Sequence, residues 1–218
     1  MAERINEAAE PADVHRDAVG DTLADAVEAG HGSSPWSDAL REFGAVDRAT
    51  YEAVASTPTP MLDRPFRLLS RSADHSRVWL CLAAAMALVG GQRGRRAAAE
   101  GVMAIGATSA IVNLGVKRVF SRRRPERSGP YSERHSPMPT STSFPSGHSA
   151  SAFAFAQAVG RHLPWAAVPL RLLAGAVAYS RVHVGVHYPG DVVIGSIIGG
   201  GTAAIVGASY DHVAARRS

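Results

Sequence analysis

The sequence predicts an all-α protein: a bundle of about five transmembrane helices preceded by a polar arm that carries amphipathic helices. Three observations lead there. The 218-residue chain changes character along its length: residues 1 to about 75 are rich in Asp, Glu, Arg, Ser and Pro, and the rest is mostly Ala, Val, Gly, Leu and Ile. The apolar part breaks into five stretches of helical length with polar or Pro-containing segments between them. Ala and Gly are abundant within those stretches, which lets helices approach closely in lipid. The expected division is an arm over 1–74 and a membrane-embedded domain over 75–218.

Residues 1–33 carry many charges and no strong period, with a helix expected only near Ala18–Ala29. The segment Met1-Ala-Glu-Arg-Ile-Asn-Glu lacks the basic-then-apolar layout of a cleaved signal peptide. Ser34-Pro35 reads as a helix start, with Trp36, Leu40, Phe43 and Val54 near one face. After Pro60, Leu62, Phe66, Leu69 and Ala73 recur at helical spacing, with Arg64, Arg67 and Arg71 elsewhere. That pattern suits a helix lying at a membrane surface, and equally one packed on the protein's own body.

The five apolar helices are expected at about Val78–Gly90, Ala97–Val116, His148–Gly160, Ala166–Tyr179 and Val192–Ser209. Several fall short of the ~20 residues that a lone spanning helix needs, so their flanks extend them or some are buried in the bundle. Cys81, the one cysteine, is expected to be a small buried hydrophobe. Residues 118–146 form a long polar loop, and loops of that length in a compact domain are usually functional or disordered.

Formal net charge is +4 and the pI is ≈ 9.7. The arginines sit at the ends of apolar stretches and aromatics make up only 6% of the chain. This favours an anionic lipid or a phosphorylated substrate over nucleic acid as the partner.

Three segments carry chemistry. In Lys117-Arg-Val-Phe-Ser-Arg-Arg-Arg124-Pro125, a helix would set Lys117 and Arg124 on one face, two turns apart, as a clamp for a dianion. Ser143-Phe-Pro-Ser146-Gly147-His148 leads into an apolar helix, whose free N–H groups and positive dipole end favour phosphate. Gly147 allows close backbone approach, Ser146 offers a hydroxyl, and His148 offers a proton that titrates near neutral pH. In Ser180-Arg181-Val-His183-Val-Gly-Val-His187-Tyr-Pro189-Gly-Asp191, Arg181 is a third cation. Pro189 in a first helical turn places Asp191 within reach of His187. An Asp holding one imidazole nitrogen leaves the other free to attack. If the helices alternate in direction, all three segments meet on one face of the bundle.

These segments resemble the signature of the type 2 phosphatidic acid phosphatases, which share a fold with class A acid phosphatases and vanadium haloperoxidases. The signature is Lys-x6-Arg-Pro, Pro-Ser-Gly-His and Ser-Arg-x5-His-x3-Asp. It is met by Lys117, Arg124 and Pro125, by Pro145 to His148, and by Ser180, Arg181, His187 and Asp191. The resemblance covers roughly 75–210. It implies His187 as nucleophile forming a phosphohistidine, Asp191 as its orienting carboxylate, and His148 as the acid for the leaving oxygen. It further implies Lys117, Arg124, Arg181, Ser146 and the Gly147 N–H as phosphate holders. No metal or cofactor is expected. His183 is expected to be a satisfied loop histidine, and Arg122, Arg123 and Arg127 solvated loop arginines.

The function expected from the resemblance is hydrolysis of a membrane lipid phosphate. The family's substrates include phosphatidic acid, phosphatidylglycerol phosphate and polyprenyl diphosphates. The run Arg67-Leu-Leu-Ser-Arg-Ser-Ala-Asp-His75 is similar to actinobacterial members, among which one substrate is decaprenylphosphoryl-5-phosphoribose, a precursor of cell-wall arabinan. A soluble class A acid phosphatase is the main alternative, followed by a haloperoxidase and a non-catalytic scaffold. A bacterial inner-membrane location is expected. An odd count of five spans with the arm inside puts the site on the cytoplasmic face. The arm is a candidate for covering the site, binding a partner or pairing subunits.

Overall fold

The computed structural model describes residues 35–127, 131 and 134–216, and the helix expected near Ala18–Ala29 lies outside them. The chain forms two compact units, Met1–Ala45 and Val46–Ser218. The second holds every candidate site residue.

The described residues are helical with long connections. Helix α1 covers Pro35–Ser56, α2 Pro60–Ser72, α3 Arg77–Val89 and α4 Gly91–Ala110. A π-helical turn, Ile111–Val116, carries α4 on into Lys117–Val119. Helix α5 covers Gly147–His162, α6 Pro164–His183 and α7 Pro189–Ala215. All five expected apolar helices are present; the first is shifted by one residue and the other four extend beyond what hydropathy alone outlines. Pro60 and Pro164 open their helices in the first turn, where a missing N–H costs nothing.

Helix α5 is the centre, packed against α4, α6 and α7. One side is a seam of small residues, with Ala154 and Ala158 meeting Ala104 and Ala203. The other side presents Phe155 and Val159 to Trp79 and the rest of the main core. Gly195 and Gly199 set the closeness of α5 and α7. A Cβ on Gly195 would come 2.5 Å from the Ser146 carbonyl oxygen, and one on Gly199 would collide with that of Ala150. Glycine there lets the start of α7 sit directly on the start of α5.

The periphery is apolar and the interior holds charge. Leu88 (84% exposed), Leu172 and Ile205 (69%) point outward. Glu100 is buried within α4 and meets His162 at 2.7 Å and Arg161 at 3.4 Å. In water such an outer surface would be a liability; in lipid it is the preferred one. Among the described residues, two helices, Gly91–Val119 and Pro189–Val213, are long and apolar enough to cross a membrane. Helices α3 and α5 have 13 and 16 residues, about 20 and 24 Å, against a hydrocarbon core of ~30 Å. Cys81 corrects the expectation of burial: it is exposed. The apolar run around it has an outward face, so hydrophobicity there marks the lipid side rather than the core.

The long loop is pinned by buried charge. Arg134 donates to the carbonyls of Val54 (3.3 Å), Ala55 (3.4 Å) and Thr57 (3.0 Å) at the end of α1. Its Nε lies 3.2 Å from Asp63 of α2. Arg134 thereby satisfies carbonyls that a helix end leaves open. His183, the last residue of α6, meets the same Asp63 at 2.9 Å. Phe66 and Tyr179 pack against its ring. The expectation of a satisfied loop histidine holds only in part: Nε2 is paired, the buried Nδ1 has no partner among the described residues, and the residue closes a helix rather than sitting in a loop.

Candidate active site

The three sequence segments converge on one cavity of ≈ 180 Å³, lined by Lys117, Arg124, Gly147, His148, Arg181 and His187 among others. The convergence is built by backbone. The Ser146 N–H donates to the Asp191 carbonyl (2.9 Å), joining the start of α5 to the start of α7. The Ser143 N–H donates to the Arg122 carbonyl (2.9 Å), joining the loop to the Lys117 segment.

The helical clamp expected of Lys117 and Arg124 is not how they meet. The helix stops at Val119, and Phe120 is extended at φ −110° and ψ 110°. The residue before a proline avoids helical geometry, and Arg124 precedes Pro125. The two cations are brought together by Ser141 instead. Lys117 Nζ donates to its hydroxyl at 3.1 Å, and Arg124 Nε to its carbonyl at 2.9 Å. Arg124 also donates to the carbonyls of Val186 (2.6 Å) and Thr142 (3.2 Å), which fixes its plane. The π-turn before Lys117 adds Asn113 to the cavity wall; such widened turns recur at functional sites.

His187 is 2% exposed. Its Nδ1 lies 3.5 Å from Asp191 Oδ2, and its Nε2 faces Arg124 Nη1 at 3.4 Å. The first contact is longer than a formed hydrogen bond, as is common before substrate binds. Burial drives the His187 pKa from the usual 6.5 to about 3, against the pull of Asp191 and aided by the Arg181 and Arg124 charges. The imidazole is therefore neutral at pH 7, with an unprotonated nitrogen toward the cavity.

Asp191 is buried and heavily anchored. Its Oδ2 accepts from the Ser143 hydroxyl and from the Tyr188 N–H (3.0 Å). Its Oδ1 accepts from Arg122 (2.9 Å). Arg122 also pairs with buried Asp47 of α1 at 2.7 Å and lies over the Tyr188 ring. Asp47 in turn accepts from the Gly190 N–H (2.7 Å). Arg122 is thus no solvated loop arginine: two carboxylates in a dry setting hold it. Arg127 is likewise engaged, donating to the Gly185 carbonyl at 3.1 Å.

Arg181 is buried. It donates to the Ser70 hydroxyl of α2 at 2.5 Å and lies 3.7 Å from Asp74. Ser146 is buried as the N-cap of α5, its Oγ accepting from the Ser149 N–H. The structure adds a fourth segment that sequence reasoning missed. In the turn Asp74–Ser76, His75 and Ser76 both take left-handed backbone conformations (φ 54° and 59°), a strained arrangement outside glycine. Both line the cavity. Asp74 Oδ1 meets His148 Nε2 at 2.8 Å. That hydrogen bond to His148 holds the Asp74 carboxyl below its usual pKa.

The PAP2 superfamily model matches residues 98–212. The chain is 39% identical over 163 residues to a decaprenylphosphoryl-5-phosphoribose phosphatase of Mycolicibacterium smegmatis, covering 73% of this chain and 84% of that protein. It is 33% identical over 179 residues to the protein of the same name from Mycobacterium tuberculosis, covering 78% and 93%. Two solved structures share the fold. The transmembrane PAP2-type phosphatidylglycerolphosphate phosphatase of Bacillus subtilis aligns with a TM-score of 0.62 at 20% identity, over 85% of this chain and 90% of that one. Aquifex aeolicus LpxE aligns with a TM-score of 0.60 at 23% identity, over 72% and 92%. With the three motifs in one cavity and a matched region running from α4 through most of α7, this chain belongs to the PAP2 superfamily.

Proposed function

We propose that this membrane lipid phosphatase hydrolyses a polyprenyl-linked phosphate monoester by way of a phosphohistidine on His187, with decaprenylphosphoryl-5-phosphoribose as the leading candidate substrate. The observation that carries the mechanism is the neutral, Asp191-backed imidazole of His187 opening onto a cavity with three fixed cations. The substrate assignment rests on the likeness to the two mycobacterial proteins.

The geometry supports the following steps. Lys117, Arg124 and Arg181 hold the phosphoryl oxygens together with the first N–H groups of α5, the first role of a site that must stabilise spread equatorial charge. His187 Nε2 attacks phosphorus and forms an N–P bond while the bond to the leaving oxygen breaks. Asp191 accepts the Nδ1 proton's hydrogen bond and stabilises the charge on the ring. His148, held at Nε2 by Asp74, gives a proton from its other nitrogen to the leaving alkoxide. The same nitrogen then takes a proton from water as the water oxygen attacks phosphorus; the N–P bond breaks, its electron pair returns to His187 Nε2, and inorganic phosphate is released. Ser146 acts by shaping the turn that aims these N–H groups.

Purified protein in neutral detergent is expected to release phosphate from decaprenylphosphoryl-5-phosphoribose with a kcat/KM at least about tenfold above that for a soluble aryl phosphate. Equal turnover of the two would remove the case for a lipid substrate and favour the acid-phosphatase reading.

We further propose that the site lies on the cytoplasmic face of the bacterial inner membrane, the arrangement that results if the charged arm stays inside and all five apolar helices span. Glu126→Cys, an exposed loop position, placed in a Cys81→Ala background, is expected to resist an impermeant thiol reagent in intact cells and to react after lysis. Labelling in intact cells would place the site outside.

A further inference from the structure

Behind His148 lies a second cavity of ≈ 510 Å³, lined by Arg71, Asp74, Arg77 and the Ser136–Pro139 stretch. It shares His75, Pro139, His148 and Arg181 with the phosphate cavity, but not His187, Lys117 or Arg124. That division has a chemical meaning. In an in-line displacement the nucleophile and the leaving oxygen sit on opposite sides of phosphorus. His187 marks one side and His148, the acid, the other. The alcohol part of the substrate therefore departs toward His148 and into this second cavity.

The cavity is cationic. Arg71 lies in the last turn of α2 and Arg77 begins α3, and both side chains are exposed. Neither has a hydrogen bond or ion pair with any described residue. Arg181 contributes a third guanidinium. The opposing charge, Asp74, is occupied by His148 at 2.8 Å and lies 3.7 Å from Arg181. A neutral alcohol such as diacylglycerol has no use for two guanidiniums that have no acceptor among the described residues. A leaving group that carries its own phosphate does, because guanidinium forks match phosphate oxygens.

We propose that this cavity is a leaving-group subsite, in which Arg71 and Arg77 bind a second, uncleaved phosphate on the alcohol side of the substrate. The substrate class is then a lipid with two phosphorus centres separated by a polar spacer. This deepens the phosphatase reading and rests on it. Both arginines lie outside the stretch matched by the family, 98–212, so the two phosphate-binding side chains, like Asp74 and His75, come from this chain's N-terminal region and the rest of the lining from the matched stretch.

The test compares kcat/KM for decaprenylphosphoryl-5-phosphoribose and for phosphatidic acid, in full-length protein and in an Arg71→Gln/Arg77→Gln form. The ratio of the two values is expected to fall about tenfold, the sum of two partly exposed charge contacts, and to fall through KM. An Arg71→Lys/Arg77→Lys form, which keeps both charges, is expected to retain most of the ratio. Anionic bilayer headgroups offer the same phosphate chemistry, so the assay runs both in neutral detergent and in phosphatidylglycerol vesicles. A fall in the ratio in detergent supports the subsite. An unchanged ratio in detergent, or a loss seen only in vesicles and equal for both substrates, overturns it and assigns the arginines to the membrane surface. No hydrolysis of either lipid by the unsubstituted chain overturns the phosphatase reading and the subsite with it.

Discussion

Replacing His187 by Ala is expected to lower kcat/KM toward any lipid phosphate by about 10⁵, the scale on which enzymes lose activity when a covalent nucleophile is removed. No neighbour can stand in. His148 is committed through Nε2 to Asp74, and His183 to Asp63. His75 lines the cavity in a strained turn but has no carboxylate hydrogen bond to orient it among the described residues. The cavity would keep its cations and still bind phosphate, so the variant should bind inorganic phosphate about as tightly as the parent while failing to turn over. Rapid quench in alkali with ³²P-labelled substrate is the check, since phosphohistidine survives alkali. Label on the parent and none on the variant is the expected result; a variant retaining more than about 1% activity would exclude His187 as nucleophile.

The same residue makes a pH statement. His187 has a folded pKa of about 3 against roughly 6.5 in an unfolded chain. Between those values the unfolded chain binds a proton that the folded one does not. His187 therefore contributes a loss of stability as pH falls through that window and none above it. For catalysis the consequence is opposite in kind: the nucleophile stays unprotonated down to about pH 3, so the acid limb of the rate profile above that belongs to other groups.

Much of this arrangement was legible in the sequence because the motifs sit at helix ends, and helix ends on one side of a bundle meet. Lys117, His148, Arg181, His187 and Asp191 all fall where alternating helices place them. The spacing of Lys117 and Arg124 misled, because a seven-residue gap suggests a helix and only Pro125 signals that the chain is extended there. The supporting residues were hidden for another reason. Asp47, Asp63 and Asp74 lie in a segment whose charge reads as a solvated arm, and each acts by reaching across long sequence distances, as far as 144 residues from Asp47 to Asp191 through Arg122. One signal was available. Asp47, Tyr51 and Val54 share a helical face, and a carboxylate on an apolar stripe implies a buried partner. Cys81 shows the converse problem: in a chain that lives in lipid, apolar periodicity does not separate inside from outside.

Asp191→Asn is expected to cost about 10³- to 10⁴-fold in kcat with little change in KM, the scale seen when the orienting carboxylate of an imidazole nucleophile or base is made neutral. The carboxylate serves His187 from a position that four other groups define. Ser143, the Tyr188 N–H and Arg122 all donate to it, and Arg122 is itself held by Asp47. An amide has one accepting oxygen where the carboxylate has two. Its NH₂ would face a donor and leave either Arg122 or His187 without an acceptor, a buried loss in both cases. The role of Arg122 and Asp47 is then separable from that of Asp191. Arg122→Ala leaves two buried carboxylates facing each other without their shared cation, so it should reduce kcat by about 10- to 100-fold. Removing Asp47 in the same chain relieves that repulsion. The double form, Asp47→Asn with Arg122→Ala, is expected to be more active than Arg122→Ala alone. Additive losses in that double-mutant cycle would show that Asp47 merely fastens α1 to the body, and that the orientation of Asp191 does not depend on the arm.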